Sequence, residues 1–231
     1  MEEKESLHRA ALRMLVAAVL LSASGLAAAA EPGFYLGVLA GQSKTEIDQS
    51  GNDALIAAQF GPVLRSSVKE TDTGFGAFFG YQFLPWLAAE VAYQDLGAAS
   101  YEADTSFFLP FPVNSRLPIN AQIKSEVTAA SASALFIAPL FDHFSVGARL
   151  GVATTKAKFS ISAVTVQTPQ RLSDSTTNTN GVFGVNAQWT PTDHLGVRLE
   201  YQRYKEVGGD SDDDIDGFDV TLISLGVLWK Y

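Results

Sequence analysis

The sequence predicts an all-β fold: an eight-stranded antiparallel up-and-down transmembrane β-barrel with short periplasmic turns and four long external loops. Three observations carry that expectation. Apolar residues recur with a period of two over eight segments, each of about 10–12 residues, near the length a tilted strand needs to cross hydrocarbon. Short and long connections alternate strictly along the chain, which puts all tight turns at one rim and all large loops at the other. The tryptophans Trp86, Trp189 and Trp229 all fall at strand ends beside the short turns or the C-terminus, where membrane barrels carry an aromatic girdle.

Composition agrees. Of the 231 residues, 47% are hydrophobic and 18% charged, below the roughly 25% charge of soluble domains. A single uncharged apolar run, residues 14–30, excludes a polytopic helical membrane protein. With no cysteine, disulfides, thiolate zinc sites and cysteine nucleophiles are excluded. A net charge of −9 argues against nucleic acid as a partner.

Residues 1–30 have the layout of a secretory signal peptide. Arg9 and Arg13 precede the apolar core, Gly25 breaks it, and Ala28-Ala29-Ala30 supplies small residues for cleavage after Ala30. Three acids and three bases leave with the leader, so residues 31–231, the expected barrel domain, keep the net charge.

The strands follow in order at 33–44, 73–83, 87–96, 124–138, 144–157, 179–190, 195–205 and 218–231. The short turns are Leu84-Pro85, 139–143 and 191–194; the long loops are 45–72, 97–123, 158–178 and 206–217. Phe75, Phe79 and Phe83 share one face of the second strand, as do Val91 and Tyr93, Val197, Leu199 and Tyr201, and Ile223, Leu225, Val227 and Trp229. These faces should meet lipid. Alanine and serine fill both faces of 124–138, so its facing is not readable. Phe34, Phe141, Phe144 and Tyr231 join the tryptophans at the short-turn rim.

The opposite faces hold glycine and charge: Glu90, Arg149, Arg198 and Glu200, with Gln82, Gln94, Asn186 and Gln188. A charge facing hydrocarbon at mid-depth costs roughly 2–4 kcal/mol, so these side chains should point into the lumen. There they could line a gated ion path or form a plug. Eight strands leave an interior just wide enough for side chains, which favours the plug.

Short motifs then point to a family. They are Gly33-Phe-Tyr-Leu-Gly37, Gly74-Phe-Gly-Ala-Phe-Phe-Gly80-Tyr, Ala89-Glu90-Val-Ala-Tyr93, Arg149-Leu-Gly151, Gly196-Val-Arg198-Leu-Glu200-Tyr-Gln202 and the last strand. The chain resembles the eight-stranded transmembrane domain of outer membrane protein A and its relatives in the outer-membrane β-barrel superfamily. The resemblance covers residues 31–231. It implies an integral protein of the outer membrane of a Gram-negative-type bacterium, in contact with lipid and lipopolysaccharide, with Glu90, Arg149, Arg198 and Glu200 as lumen charges. Segment 124–138 departs from the family, offering only Lys124 at its start. The terminal Ser224-Leu-Gly226-Val-Leu-Trp229-Lys-Tyr231 looks like the signal read by the barrel assembly machinery, with Ser224, Gly226, Trp229 and Tyr231 as its carriers. No peptidoglycan-binding segment follows Tyr231 in this sequence, so cell-wall anchoring is not carried over.

Catalytic chemistry finds little support. His143-Phe144-Ser145 superficially matches a His-x-Ser pair, but His143, like His194, sits at a short turn beside an aspartate (Asp142, Asp193). A lipid-modifying enzyme is therefore the least favoured reading, and no cofactor is expected. Asp210–Asp216 opens like a calcium loop, yet the twelfth position from Asp212 is Ile223 rather than glutamate. Loose divalent-cation contact toward lipopolysaccharide stays open there. Residues 106–112, apolar around Phe107–Phe111, should fold over the barrel mouth, lie on the outer leaflet or bind a surface partner, with packing ranked first and partner binding second. The expected role is structural or surface-interacting, as a monomer; a narrow porin-like channel is the alternative.

Overall fold

Alternating apolar residues become strands when each face meets a different medium, and here the two media are lipid and a packed lumen. The computed structural model describes residues 32–60, 63–109, 115–164, 169–209 and 217–231. The expected signal peptide and its cleavage point lie outside them, as does the acidic loop Asp210–Asp216. The described residues form strands β1 (Gly33–Thr45), β2 (Val63–Lys69), β3 (Thr71–Leu84), β4 (Leu87–Leu109), β5 (Ser115–Phe141), β6 (Phe144–Val164), β7 (Pro169–Trp189), β8 (Leu195–Val207) and β9 (Phe218–Lys230). One helix, α1 (Gln49–Phe60), lies between β1 and β2. All pairings are antiparallel, and β4–β5 and β9–β1 join the ends, so eight strands close a ring. β2 is the ninth: it takes over from β3 as the partner of β4 above the ring.

The lipid-facing rows are those expected. Phe75, Phe79, Val91, Tyr93, Leu199, Ile223, Leu225 and Val227 are all exposed on the outside of the ring, while Val197 and Tyr201 are half-buried. On β5 the facing is now resolved: Val127, Ala129, Ser131, Ser133 and Leu135 are buried inward, and Ala130, Ala132 and Phe136 are exposed.

Three of the four long loops are corrected. β4 and β5 continue as a paired hairpin up to Leu109 and Ser115, and β6 and β7 up to Val164 and Pro169. Residues 45–72 hold α1 and β2 instead of irregular chain. Of the fourth, 206–217, β8 extends to Val207 and β9 begins at Phe218; residues 210–216 lie outside the described residues. β5 alone has 27 residues, well beyond the roughly 9–11 needed to cross hydrocarbon. Above the lipid belt, strands β2, β4, β5, β6 and β7 therefore rise as an open wall from one side of the barrel. The backbone of 106–109 belongs to β4; the side chains of the apolar stretch Phe107–Phe111 lie outside the described residues.

A bulge at the belt's upper edge lets β4 serve both parts. Pairing with β5 slips between Asp95 and Ala98, and Gly97 takes a φ of +76°, a conformation natural to glycine. The inward set changes from Ala88, Glu90, Ala92, Gln94 and Leu96 to Ala99, Tyr101 and Ala103, so one face stays continuous. Asp95 and Asp72 clasp the bulge: Gly97 N–H donates to Asp95 Oδ1 (2.8 Å) and Ala98 N–H to Asp72 Oδ2 (2.8 Å). The backbone N–H groups of Ala98 and Thr73 hold the Asp72 carboxyl below the usual carboxylate range. A carboxylate depressed by folding stabilises above its unfolded pKa, about 4, and that stability is lost as pH falls through the folded value. Melting temperature should thus fall less between pH 5 and pH 3 (both set by that range) in D72N than in the native chain; equal slopes would discount the clasp.

Helix α1 docks on the inward side of this wall. Asp48 caps it, accepting from Gly51 N–H at 3.1 Å. Ile56 packs with Tyr101, Ala103 and Ala121. Asp53 accepts from the Tyr101 hydroxyl and from Ser66 Oγ (3.1 Å), and Gln49 Nε2 donates to Ser66 Oγ at 3.0 Å. Burial, then the Asp53 hydrogen bond, push the Tyr101 hydroxyl up to about 12, so it remains a donor at any physiological pH.

Candidate functional site

The four charges expected in the lumen come from β4, β6 and β8, whose even or odd positions face inward at one height. The structure brings all four together. Arg149 Nε donates to Glu200 Oε1 at 2.6 Å, and its Nη2 reaches Glu200 Oε2 at 3.2 Å and also Glu90 Oε1. Arg198 Nη1 binds Glu90 Oε2 at 2.7 Å and stands 4.0 Å from Glu200 Oε2. None of the four side chains is more than 4% exposed. Two acids facing two bases leave no net charge in the cluster, which burial requires.

Reach explains why this works without a base on 124–138. Arg149 on β6 and Glu90 on β4 are separated by β5, where the inward residues near that height are Ser131 and Ser133. These small side chains leave room for the guanidinium to cross. Glycine does the same for aromatics: a Cβ at Gly80 would overlap the Tyr35 ring.

Two participants were not identified from sequence. The Tyr35 hydroxyl donates to Glu90 Oε2 at 3.1 Å. The Arg198 guanidinium carbon lies 4.8 Å from the Phe78 ring centre and 5.6 Å from that of Tyr35, within range of a cation–π contact. Both rings had only their inward parity among glycines as a signal. Gln188 accepts from Arg198 Nε at 3.2 Å.

Further layers stack above and below. Gln94 Nε2 donates to Gln202 Oε1 (3.1 Å), and the Tyr204 hydroxyl donates to Gln202 Oε1 (2.8 Å) and to Gln94 Oε1. Higher still, Thr155 donates to Asn180, whose Nδ2 donates to the Glu206 carbonyl at 2.6 Å. Leu39, Val182, Val207, Val220 and Leu222 are buried with this interior. At the lower rim Lys230 Nζ donates to Gln82 Oε1 at 2.9 Å.

At the short-turn end Trp86, Trp189, Trp229, Phe34, Phe141 and Tyr231 are exposed, and Phe144 is half-buried. Ser224 and Gly226 face inward and are buried, while Trp229 faces out. His194 stacks on Trp229 with 5.5 Å between ring centres, and its Nδ1 lies 3.1 Å from the Lys230 carbonyl. His143 is exposed in the β5–β6 turn, where its carbonyl accepts from Thr190 N–H at 2.8 Å.

The chain thus has a charged, closed interior within eight strands and an apolar exterior, and the family model of the OmpA-like transmembrane domain matches residues 29–231. The chain belongs to this family. Outer membrane protein A of Serratia marcescens is 28% identical over 162 residues, covering 68% of this chain and 39% of that protein. Outer membrane protein A of Shigella flexneri is 27% identical over 162 residues, covering 70% and 41%. This OmpA-like barrel thus spans about two fifths of the length of these relatives. Neisserial surface protein A has the same fold, with a TM-score of 0.50 at 14% identity over 87% of this chain and 99% of that one. The OmpA-like barrel is an integral protein of the outer membrane of Gram-negative bacteria.

Proposed function

We propose that this OmpA-like barrel is a non-catalytic membrane anchor: its lumen is plugged by side chains and its external wall is the surface that meets partners. The observation that carries the plug is the reciprocal binding of Glu90, Arg149, Arg198 and Glu200 across the full width of the interior. A pore needs a continuous path, and moving an ion past this layer would require breaking charge-assisted hydrogen bonds in a medium of low dielectric. Below the plug, the tryptophan rim holds the barrel at the headgroup level. Ser224, Gly226, Trp229 and Tyr231 serve as the assembly signal, and lipid and lipopolysaccharide surround the folded monomer.

One observation favours a second reading. Ser133 Oγ, Asn186 Nδ2, Gln202 Nε2 and Ser224 Oγ are buried without a protein partner, and polar groups in such positions commonly hold water. Linked waters would make a narrow channel. Single-molecule conductance in planar bilayers decides between them. The plugged barrel should give no discrete steps; well-defined openings that disappear in E90A or R198A would reject it.

A further inference from the structure

The external wall has two free edges, and they differ. β2 is 7 residues long, carries Arg65 and Lys69, and has α1 bonded to its inner side through Ser66. Charges of this kind blunt an edge against pairing. On β7 the charges and the proline gather at the start of the strand, at Pro169, Arg171 and Asp174. It pairs with β6 along its whole length, but with β8 only from Val182 to Trp189. Among the described residues, no strand pairs with Pro169–Gly181 on that side. Alternate N–H and C=O groups there point out of the sheet. The stretch Ser173-Asp-Ser-Thr-Thr-Asn-Thr-Asn180 contains no lysine and no proline; its one charge, Asp174, accepts from the Ser175 N–H at 2.7 Å, so edge protection is confined to that point and the chain from Thr176 to Gly181 lacks it.

Charge beside this edge selects what could pair with it. Above Val152 and Phe183, the outer-face residues of β6 are Thr154, Lys156, Lys158 and Ser160, and those of β7 are Thr179, Thr177, Ser175 and Ser173. That surface holds two cations and no anion in a chain of net charge −9. Lys156 stands opposite Thr177, and Lys158 opposite Ser175.

We propose that the free edge of β7 docks an extended acidic segment of a soluble polypeptide, added to the wall as a further strand. Its main chain would take up the unpaired groups, as in strand addition generally. A strand added at the usual spacing of about 4.8 Å lies about 10 Å from β6. Carboxylates at every second position would then come within reach of Lys156 and Lys158 across the Ser/Thr row. A second copy in the same membrane is a poor occupant. Barrels sharing a membrane are related by an axis along its normal, and strands tilted roughly 35–45° from that normal would cross instead of pairing.

This inference rests on the surface-interaction part of the proposed function, and its failure is separable from that of the plugged lumen, which conductance tests alone. The assay is fluorescence anisotropy of the refolded full chain in nanodiscs with a labelled (Glu-Thr)5 peptide, against (Lys-Thr)5 and a (Glu-Pro)5 peptide that cannot complete a ladder. The Glu-Thr peptide should bind on the order of tenfold more tightly than either control. K156E/K158E should weaken it by a similar factor, and added salt should do likewise. Thr176 and Thr177 are consecutive, so only one has its N–H on the free edge. One of T176P and T177P should therefore abolish binding while the barrel still resists unfolding in detergent. Equal binding of the three peptides, no response to K156E/K158E, or no binding of (Glu-Thr)5 at all would overturn the proposal. So would chemical cross-linking that shows the β7 edge joined to a second copy.

Discussion

Replacing Glu90 with alanine should cost the barrel about 3–5 kcal/mol, the range for removing one partner of a buried ion pair. Glu90 is the one group that binds both guanidiniums and also the Tyr35 hydroxyl. Without it, Glu200 must neutralise Arg149 and Arg198 alone. Its Oε2 already lies 3.2 Å from Arg149 Nη2 and 4.0 Å from Arg198 Nη1, so Arg198 would keep only the long contact. The cost should appear as a lower urea midpoint in lipid vesicles, followed by tryptophan fluorescence and by the mobility difference between folded and heated protein on gels. E200A should cost less, because Glu200 holds Arg149 closely but Arg198 only loosely. Replacing all four charges together by apolar residues of similar volume should be milder than E90A, since desolvation is then removed along with attraction. If E90A unfolds at the native midpoint, the cluster does not stabilise the barrel and the plug loses its physical basis.

How far the sequence revealed this arrangement depends on what surrounds each strand. Between lipid and lumen, every second residue meets a different medium, so Val91 and Tyr93 against Glu90 and Gln94 could be read directly. The inward position of Glu90, Arg149, Arg198 and Glu200 followed from the same contrast; their mutual distances did not, because those depend on stagger between strands far apart in the chain. β5 was opaque because Ala129–Ala134 are small on both faces, although that smallness is what lets Arg149 cross to Glu90. Above the belt the contrast vanishes. Both faces of Thr176-Thr177-Asn178-Thr179 meet polar surroundings, so strand and loop look alike in sequence. Helix α1 offered only the Asp48 cap and the run Ala54–Ala58, too short to outweigh a polar neighbourhood. Tyr35 and Phe78 could be placed on the glycine face, yet a pairing of Tyr35 with Glu90, 55 positions away, carries no local mark.

The second large effect belongs to the outside of the barrel. Leu225 is 58% exposed on β9, paired with Ala40 on one side and Leu199 on the other, and Val38, Ile223 and Val227 extend the same apolar surface. In a water-soluble barrel such exposure would be a liability, and Leu225→Arg would be neutral or favourable. In a bilayer the arginine must snorkel or thin the membrane, at roughly 2–4 kcal/mol near mid-depth. The sign of the effect thus reports the medium. Refolding into vesicles should yield a destabilised barrel in that range, whereas T221R, two same-face positions closer to the polar rim, should cost about 0–1 kcal/mol. Equal penalties would mean that the belt does not grade with depth. No penalty at either site would place the outer face of β9 in water or against protein. A graded pair of values fixes the height of the hydrocarbon on β9 and, through the register of the ring, on its neighbours, leaving Lys156, Lys158 and the free edge of β7 on the aqueous side.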